Sequence, residues 1–460
     1  MPSRPSPFKR VILMTVSLLA ASSSAQEGVD RSRYILATGR RLPFLYAISL
    51  DAALDPANNN TPNAIVSRSK VALDRLDGRP LGDPANLVVS EDGGTVYVVN
   101  HHGSIDNAEF RQHGGRGQIA VLDVDAVLDP VNAGTHNALL QLLDSGGFGA
   151  LGVVLLPDLL IIANAENNLT EDGGNRITFV DRRTGSLRGT VELALGSPEL
   201  DCTDYPVPYV SPFGPPRNLA ILSPDPSWGC FPDPNGLALG RASNGDAYVF
   251  TANGGTNDVS VIDLAGALEG DRRAEIRRVP VQVGPWGMAA TPDGRHIIVA
   301  SGGSQKDESA GNTISIIDVD RASAGTGDAE VARILVGTND PEEPTHPLIP
   351  SVTPNGREVI VPNVRAHNVS IVSLELAVTG DPGAEVARIP LVRADGRPAR
   401  PKGSAVTSDG RYALISAGPG VQPFSQEIGH VYVIDLRTRS VVGTVTGVGN
   451  DPYGLAIVDR

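Results

Sequence analysis

The chain has 460 residues, with 38 Lys and Arg against 52 Asp and Glu, a formal charge of −14, and only 4% aromatic residues. A nucleic acid or an anionic membrane face would call for a basic run, and none is present. Glycine (51) and proline (36) are abundant and long helical periodicity is absent, which excludes a helical bundle and points to an all-β chain rich in turns.

Residues 1–25 read as a signal peptide. Arg4, Lys9 and Arg10 form a basic start, Val11 to Ala21 an apolar stretch too short to span a bilayer, and Ser23-Ser24-Ala25 a small-residue cleavage site. Removing the three basic residues leaves 35 against 52, so the mature chain from about Gln26 carries −17. No later run is long enough to cross a membrane, so the expectation is a soluble monomer in the periplasm or outside the cell.

A strand pattern begins at once. SRYILATG (32–39) reads as a second strand, FLYAISL (44–50) as a third and AIVSRSKVAL (64–73) as a fourth, with no first strand before them. A strand–turn–strand unit then recurs as SEDGGTVYVVN (90–100), LLPDLLIIAN (155–164), GRASNGDAYVFTAN (240–253), TPDGRHIIVAS (291–301), TPNGREVIVPN (353–363) and TSDGRYALISA (407–417). A third strand follows each, as in QIAVLDV (118–124), DVSVIDL (258–264) and HVYVIDL (430–436). The chain ends on DPYGLAIV, a first strand without successors. Lone four-stranded sheets expose two faces and two edges, whereas radial stacking covers the faces. The expected fold is therefore a seven-bladed β-propeller, one domain over residues 26–460, with four antiparallel strands per blade. Its ring would be closed by the N-terminal strands together with the C-terminal strand.

These repeats resemble the YVTN family of β-propellers, through Tyr97-Val98-Val99-Asn100, Ile161-Ile162-Ala163-Asn164 and Phe250-Thr251-Ala252-Asn253, each followed by a V-x-V-I-D-like strand. The resemblance covers nearly the whole mature chain. It implies a seven-bladed ring and a relation to lactonase-like enzymes, amine dehydrogenase β-chain-like subunits and surface-layer proteins.

In such a ring the loops between strands two and three, and those leading into each first strand, emerge on one face. The lead-in dipeptides Asp83-Pro84, Asp233-Pro234, Gly284-Pro285, His346-Pro347, Arg400-Pro401 and Asp451-Pro452 should ring the channel mouth. Pro and Asp suit a tight turn there, whereas His346 and Arg400 have no expected turn role. His101, His113, His346 and His367 are the candidate ligands for zinc, copper or iron, with Glu109 or Glu166 as candidate base. Solvated loop histidines with no shared ligand are the alternative. The acidic stretch from Glu166 to Asp172 could take calcium, although it lacks the spacing of a dedicated loop.

Cys202 and Cys230 are the only cysteines and lie in a Pro-rich insertion over 197–234. In an oxidising compartment their pairing is expected, worth about 3–4 kcal/mol in the chain-entropy model. No nucleophile elbow, zinc-protease helix, phosphate loop or dinucleotide fingerprint is visible. The expected function is binding of a small ligand, metal or partner protein at the mouth. The alternative is a metal-dependent oxidoreductase or lactonase-like hydrolase with a His-lined site in the same place.

Overall fold

A computed structural model describes residues 32–72, 83–101, 116–168, 172–173, 175–194, 232–303, 310–420 and 425–460. The signal segment, His113, Glu109, Cys202 and Cys230 lie outside them. The fold is an all-β propeller of antiparallel sheets. Leu455–Asp459 pairs with Arg33–Thr38 (Tyr34 opposite Val458, Ile35 opposite Ile457), and Phe44–Ser49 and Ile65–Lys70 complete that sheet, so the two ends of the chain share one sheet as expected.

Four further sheets have four strands each. They are Pro234–Arg241 to Glu275–Pro280, Pro285–Ala290 to Glu330–Leu335, Ser351–Val352 to Glu385–Pro390, and Pro401–Val406 to Ser440–Thr446. The region between 84 and 192 departs from expectation. One 17-residue strand, Leu139–Leu155, pairs first with Arg116–Asp123 and then with Leu159–Asn168, fusing two units into a single sheet. The reason is local. No proline leads into this first strand, and Gly146 and Gly149, at φ 81° and 64°, bend the chain without ending the ladder.

The near-continuous hydrophobicity of the middle strands follows from burial on both faces. Along His430–Asp435, Val431 and Val433 enter the core shared with Ile35 and Tyr46 of the sheet that holds Arg33–Thr38, while Tyr432 and Ile434 enter the core shared with Ile360 and Ile371. Each fully buried side chain of this kind contributes about 1.5–3 kcal/mol. The asparagine that ends the second strand is buried for a polar reason. Asn253 Nδ2 donates to Asp258 (2.7 Å) and Ser260 (2.7 Å), and Asn363 Nδ2 to Asn368 (2.8 Å) and Ser370 (2.8 Å), tying strand two to strand three. The aspartate that ends the third strand is a cap. Asp263 accepts from Ala265 and Gly266 at the start of the helix Leu264–Leu268, and Asp435 accepts from Arg437 and Thr438 in a tight turn.

The first strands surround a channel of about 180 Å³ lined by residues 86–87, 151–153, 235–237, 286–288, 349, 403–404 and 453–455. Neighbouring segments meet through hydrogen bonds to backbone carbonyls. Asn86 Nδ2 donates to Leu151 O (2.9 Å), Ile349 N to Lys402 O (3.0 Å), and Gly454 N to Ala85 O (2.9 Å). A Cβ on Gly152, Gly236, Gly287 or Gly403 would collide with the carbonyl oxygen of Asn235, Trp286, Leu348 or Tyr453. The repeated P-x-G is thus a close-approach device.

Candidate functional site

Among the described residues, lead-in residues at 83, 402, 451 and 453 meet Arg40, Arg41 and His101 beside this channel. On one side stands Asp83, fully buried just before Pro84. Its Oδ1 accepts the Arg41 N–H (2.9 Å), and its Oδ2 lies 4.0 Å from Arg40 Nε and 3.6 Å from Arg41 Nη1. His101 donates its backbone N–H to Asp83 O (2.8 Å) and places Nδ1 3.2 Å from Ala150 O. Burial, with Arg40 adding to it, pushes this imidazole down to about 3, so it is neutral at physiological pH.

On the other side, Lys402 is the x of Pro401-Lys402-Gly403 and is buried. Its Nζ lies 2.7 Å from Asp451. Tyr453, the x of Pro452-Tyr453-Gly454, links the two sides. The Arg40 guanidinium carbon is 4.5 Å and Lys402 Nζ 4.8 Å from its ring centre, contacts worth about 0.5–2 kcal/mol each. His346 lies against Gly302, and burial, then Arg365 and Lys402, hold its imidazole down to about 4. Arg365 and Arg400 are exposed, Arg400 Nη1 reaching Pro419 O at 3.4 Å.

Among the described residues, five cations (Arg40, Arg41, Arg365, Arg400 and Lys402) and three carboxylates (Asp83, Asp233 and Asp451) therefore stand at the mouth of a chain whose overall charge is −14. Such a site can hold a carboxylate or a developing oxyanion, with uncharged imidazoles beside it as proton acceptors.

The sequence-based candidates fare unequally. His101 and His346 do reach the mouth. His346 nevertheless has a turn role that was not expected, since it sits at φ 55° in the left-handed region. His367 likewise occupies that region at φ 56°, as Asn257 does at φ 58° in the corresponding turn of another sheet. Its Nδ1 lies 2.6 Å from Ala399 O, bracing the lead-in to Arg400. Among the described residues, no three His, Cys, Asp or Glu side chains group as metal ligands, so His101, His346 and His367 are not brought into one such set. The backbone of Glu166 lies opposite Phe148. Arg40, Arg41, Lys402 and Tyr453 were missed. The available signal was the x of P-x-G, which varies as Asn235, Trp286, Lys402 and Tyr453 while its flanks repeat.

No protein-family profile matches the sequence, and no curated protein matches it significantly. Solved structures do. A provisionally assigned 6-phosphogluconolactonase from Bacteroides fragilis superposes with a TM-score of 0.57 at 14% identity, over 94% of this chain and 100% of that one. The periplasmic gluconolactonase of Pseudomonas aeruginosa gives 0.56 at 15% identity, over 93% and 99%. A protein of unknown function from Desulfotomaculum acetoxidans gives 0.54 at 15%, over 92% and 98%. At these identities the likeness establishes the lactonase-type propeller fold and nothing about chemistry. No helix among the described residues is long and apolar enough to cross a membrane.

Proposed function

We propose that this chain is a seven-bladed propeller that hydrolyses a small lactone-type ester at the mouth of its channel. The ring reading is supported by the channel contacts, which pass from segment to segment and return from Gly454 to Ala85. The shared strand Leu139–Leu155 counts once for each of two blades. The observation that carries the chemistry is the pairing of neutral, buried imidazoles with buried cations around Tyr453.

In this reading a water attacks the lactone carbonyl and gives its proton to an imidazole of His101 or His346. The carbonyl oxygen becomes an anion facing Lys402 and Arg40, and the ring C–O bond then breaks with the proton passing to the leaving alkoxide. The product is a hydroxy-carboxylate. An imidazole held so far below its usual range is a weak base in the free site. Negative charge arriving between the cations raises it toward that range, so base strength and oxyanion formation rise together.

Release of acid from δ-gluconolactone and δ-valerolactone, followed in a pH-stat, tests the proposal. Saturable hydrolysis that falls about 10²-fold in Lys402→Met is expected. Rates no faster than buffer sink it. A second reading, binding of a carboxylate ligand without chemistry, is favoured by the exposed Arg365 and Arg400 beside His346.

A zinc, copper or iron ion on His101, His113, His346 and His367 competes with both readings. The cations beside His101 and His346 make a divalent ion costly there, and elemental analysis of native protein decides it. Export after cleavage near Gln26 and a Cys202–Cys230 disulfide complete the proposal. The non-reduced intact mass checks both.

A further inference from the structure

Five helices in the described residues follow third strands, and each lies on the outer strand of the preceding sheet. Leu50–Leu54 lies on Ser440–Thr446, Val124–Leu128 on Ile65–Lys70, Leu264–Leu268 on Leu187–Glu192, Val319–Ala324 on Glu275–Pro280, and Leu374–Ala377 on Glu330–Leu335. Every one buries its first residue and the residue three positions later, as Leu50 with Ala53 and Val124 with Val127. Four carry an acid in the first turn, namely Asp51, Asp125, Asp320 and Glu375. Two of these acids reach back to the preceding sheet. Asp125 lies 3.0 Å from Arg460, and Asp320 accepts the Ser243 N–H at 2.7 Å.

Two outer strands have no such helix, because the next sheet turns tightly at 435–440 or at 181–186. Beside Glu385–Pro390, Arg439 at φ 53° occupies the space, its Nη1 donating to Val386 O (2.8 Å) and its Nη2 lying 3.5 Å from Glu358. Beside the first part of Leu139–Leu155, the matching residue is Gly185 at φ 71°, and a groove of about 910 Å³ stays open. Tyr97, Val121 and Leu140 give it an apolar floor, and Leu140 is 62% exposed. Arg182, Arg183 and Arg188 line it together with Asp92, Asp158 and Asp181, so its cations and carboxylates are equal in number.

The carboxylates of the groove are largely engaged. Asp92 accepts from Ser90 Oγ (2.5 Å) and Gly94 N (2.9 Å), and Asp181 from the backbone of Arg183 and Thr184 and from Arg188 (3.3 Å). Asp158 is the exposed exception. Arg182 stands beside Asp92 and the Tyr97 hydroxyl, next to the turn between the first two strands, where Asp320 finds its partner in another sheet.

We propose that this groove docks a short acidic helical segment of a partner protein, seated as the chain seats its own helices. An apolar pair at i and i+3 covers Tyr97, Val121 and Leu140, and an acid in the first turn meets Arg182 and Arg183. No side chain at Gly185 reaches over the neighbouring strand as Arg439 does elsewhere.

The test uses the full mature protein and a lactam-bridged, fluorescein-labelled peptide copying residues 122–133, read by anisotropy. Saturable, salt-sensitive binding with a Kd below about 1 mM is expected. Gly185→Arg and Arg183→Glu each weaken it about fivefold or more, with unchanged circular dichroism and Tm. Arginine already occupies the equivalent positive-φ position at 439, and a Cβ at 185 would require the Leu143 side-chain end, 2.9 Å away, to shift, so the unchanged Tm is the control for the first variant. Arg439→Gly opens a second site and raises the stoichiometry. Binding that fails to saturate by about 5 mM, or that Gly185→Arg leaves unchanged, overturns the proposal.

Discussion

The two sides of the channel mouth use the same residue types differently. On the first, Arg40 and Arg41 close on a carboxylate with no exposure, and His101 hangs from that carboxylate's own backbone. On the second, Lys402 has its carboxylate in Asp451, but Arg365 and Arg400 stand exposed around His346. Full burial makes pairing obligatory, because a lone charge out of water is unstable. Partial exposure allows a surplus of cations to persist and to meet a ligand. The first side is thus a brace and the second a receiver.

The sharpest way to break this contrast is to remove each carboxylate. Asp83→Ala takes the shared carboxylate from Arg40 and Arg41 and should cost about 3–5 kcal/mol in urea unfolding. Asp451→Ala should cost roughly half as much, since it takes the carboxylate from one cation rather than two. Equal losses would mean that both sides are braces.

Acid should expose the shared feature of the two sides. His101 at about 3, and His346 and His430 at about 4, are lowered chiefly by burial. Each folded-state value lies below the unfolded one, so the unfolded chain binds protons first as pH falls below about 6.5. Stability contributed by the neutral imidazoles is complete above that pH and is lost on descending to the folded values. The slope is up to about 1.4 kcal/mol per pH unit for each histidine. Thermal melts from pH 7.5 to 4 check it, and a flat profile would show that the imidazoles are solvated.

A receiver should also respond to an anion. Gluconate is expected to raise the His346 imidazole in NMR titration and leave its ring shifted more than that of His101. Arg365→Ala combined with Arg400→Ala should weaken gluconate binding about tenfold. The smallest effect tests the turn role of His367. Asn in its place should change stability by less than about 0.5 kcal/mol, and Val should cost about 1–2 kcal/mol, because a β-branched residue resists positive φ.

The repeats made the strands and their sharing between the termini legible, because a strand buried on both faces must be apolar almost throughout. Val431 to Ile434 and Ile314 to Ile317 carry that mark. The fused strand Leu139–Leu155 was not legible, since a glycine pair reads as a turn whether or not the ladder continues through it. At the mouth, Asp83, Asp451, His346 and Arg400 could be placed from their prolines alone. Arg40, Arg41, Lys402 and Tyr453 could not be joined to them, as they are separated by up to 413 residues (453 minus 40).

The sequence by itself determined the blade chemistry: strand alternation, the asparagine and aspartate that end strands two and three, and the P-x-G that brings neighbouring segments together. These are local or repeat-to-repeat demands, and each leaves a residue pattern of fixed spacing. Only the tertiary structure decided which x residues face one another, which cations are buried against a carboxylate, and which histidines are neutral. Those outcomes depend on distances between distant segments and on exclusion of water, and neither quantity is written in any one stretch of chain.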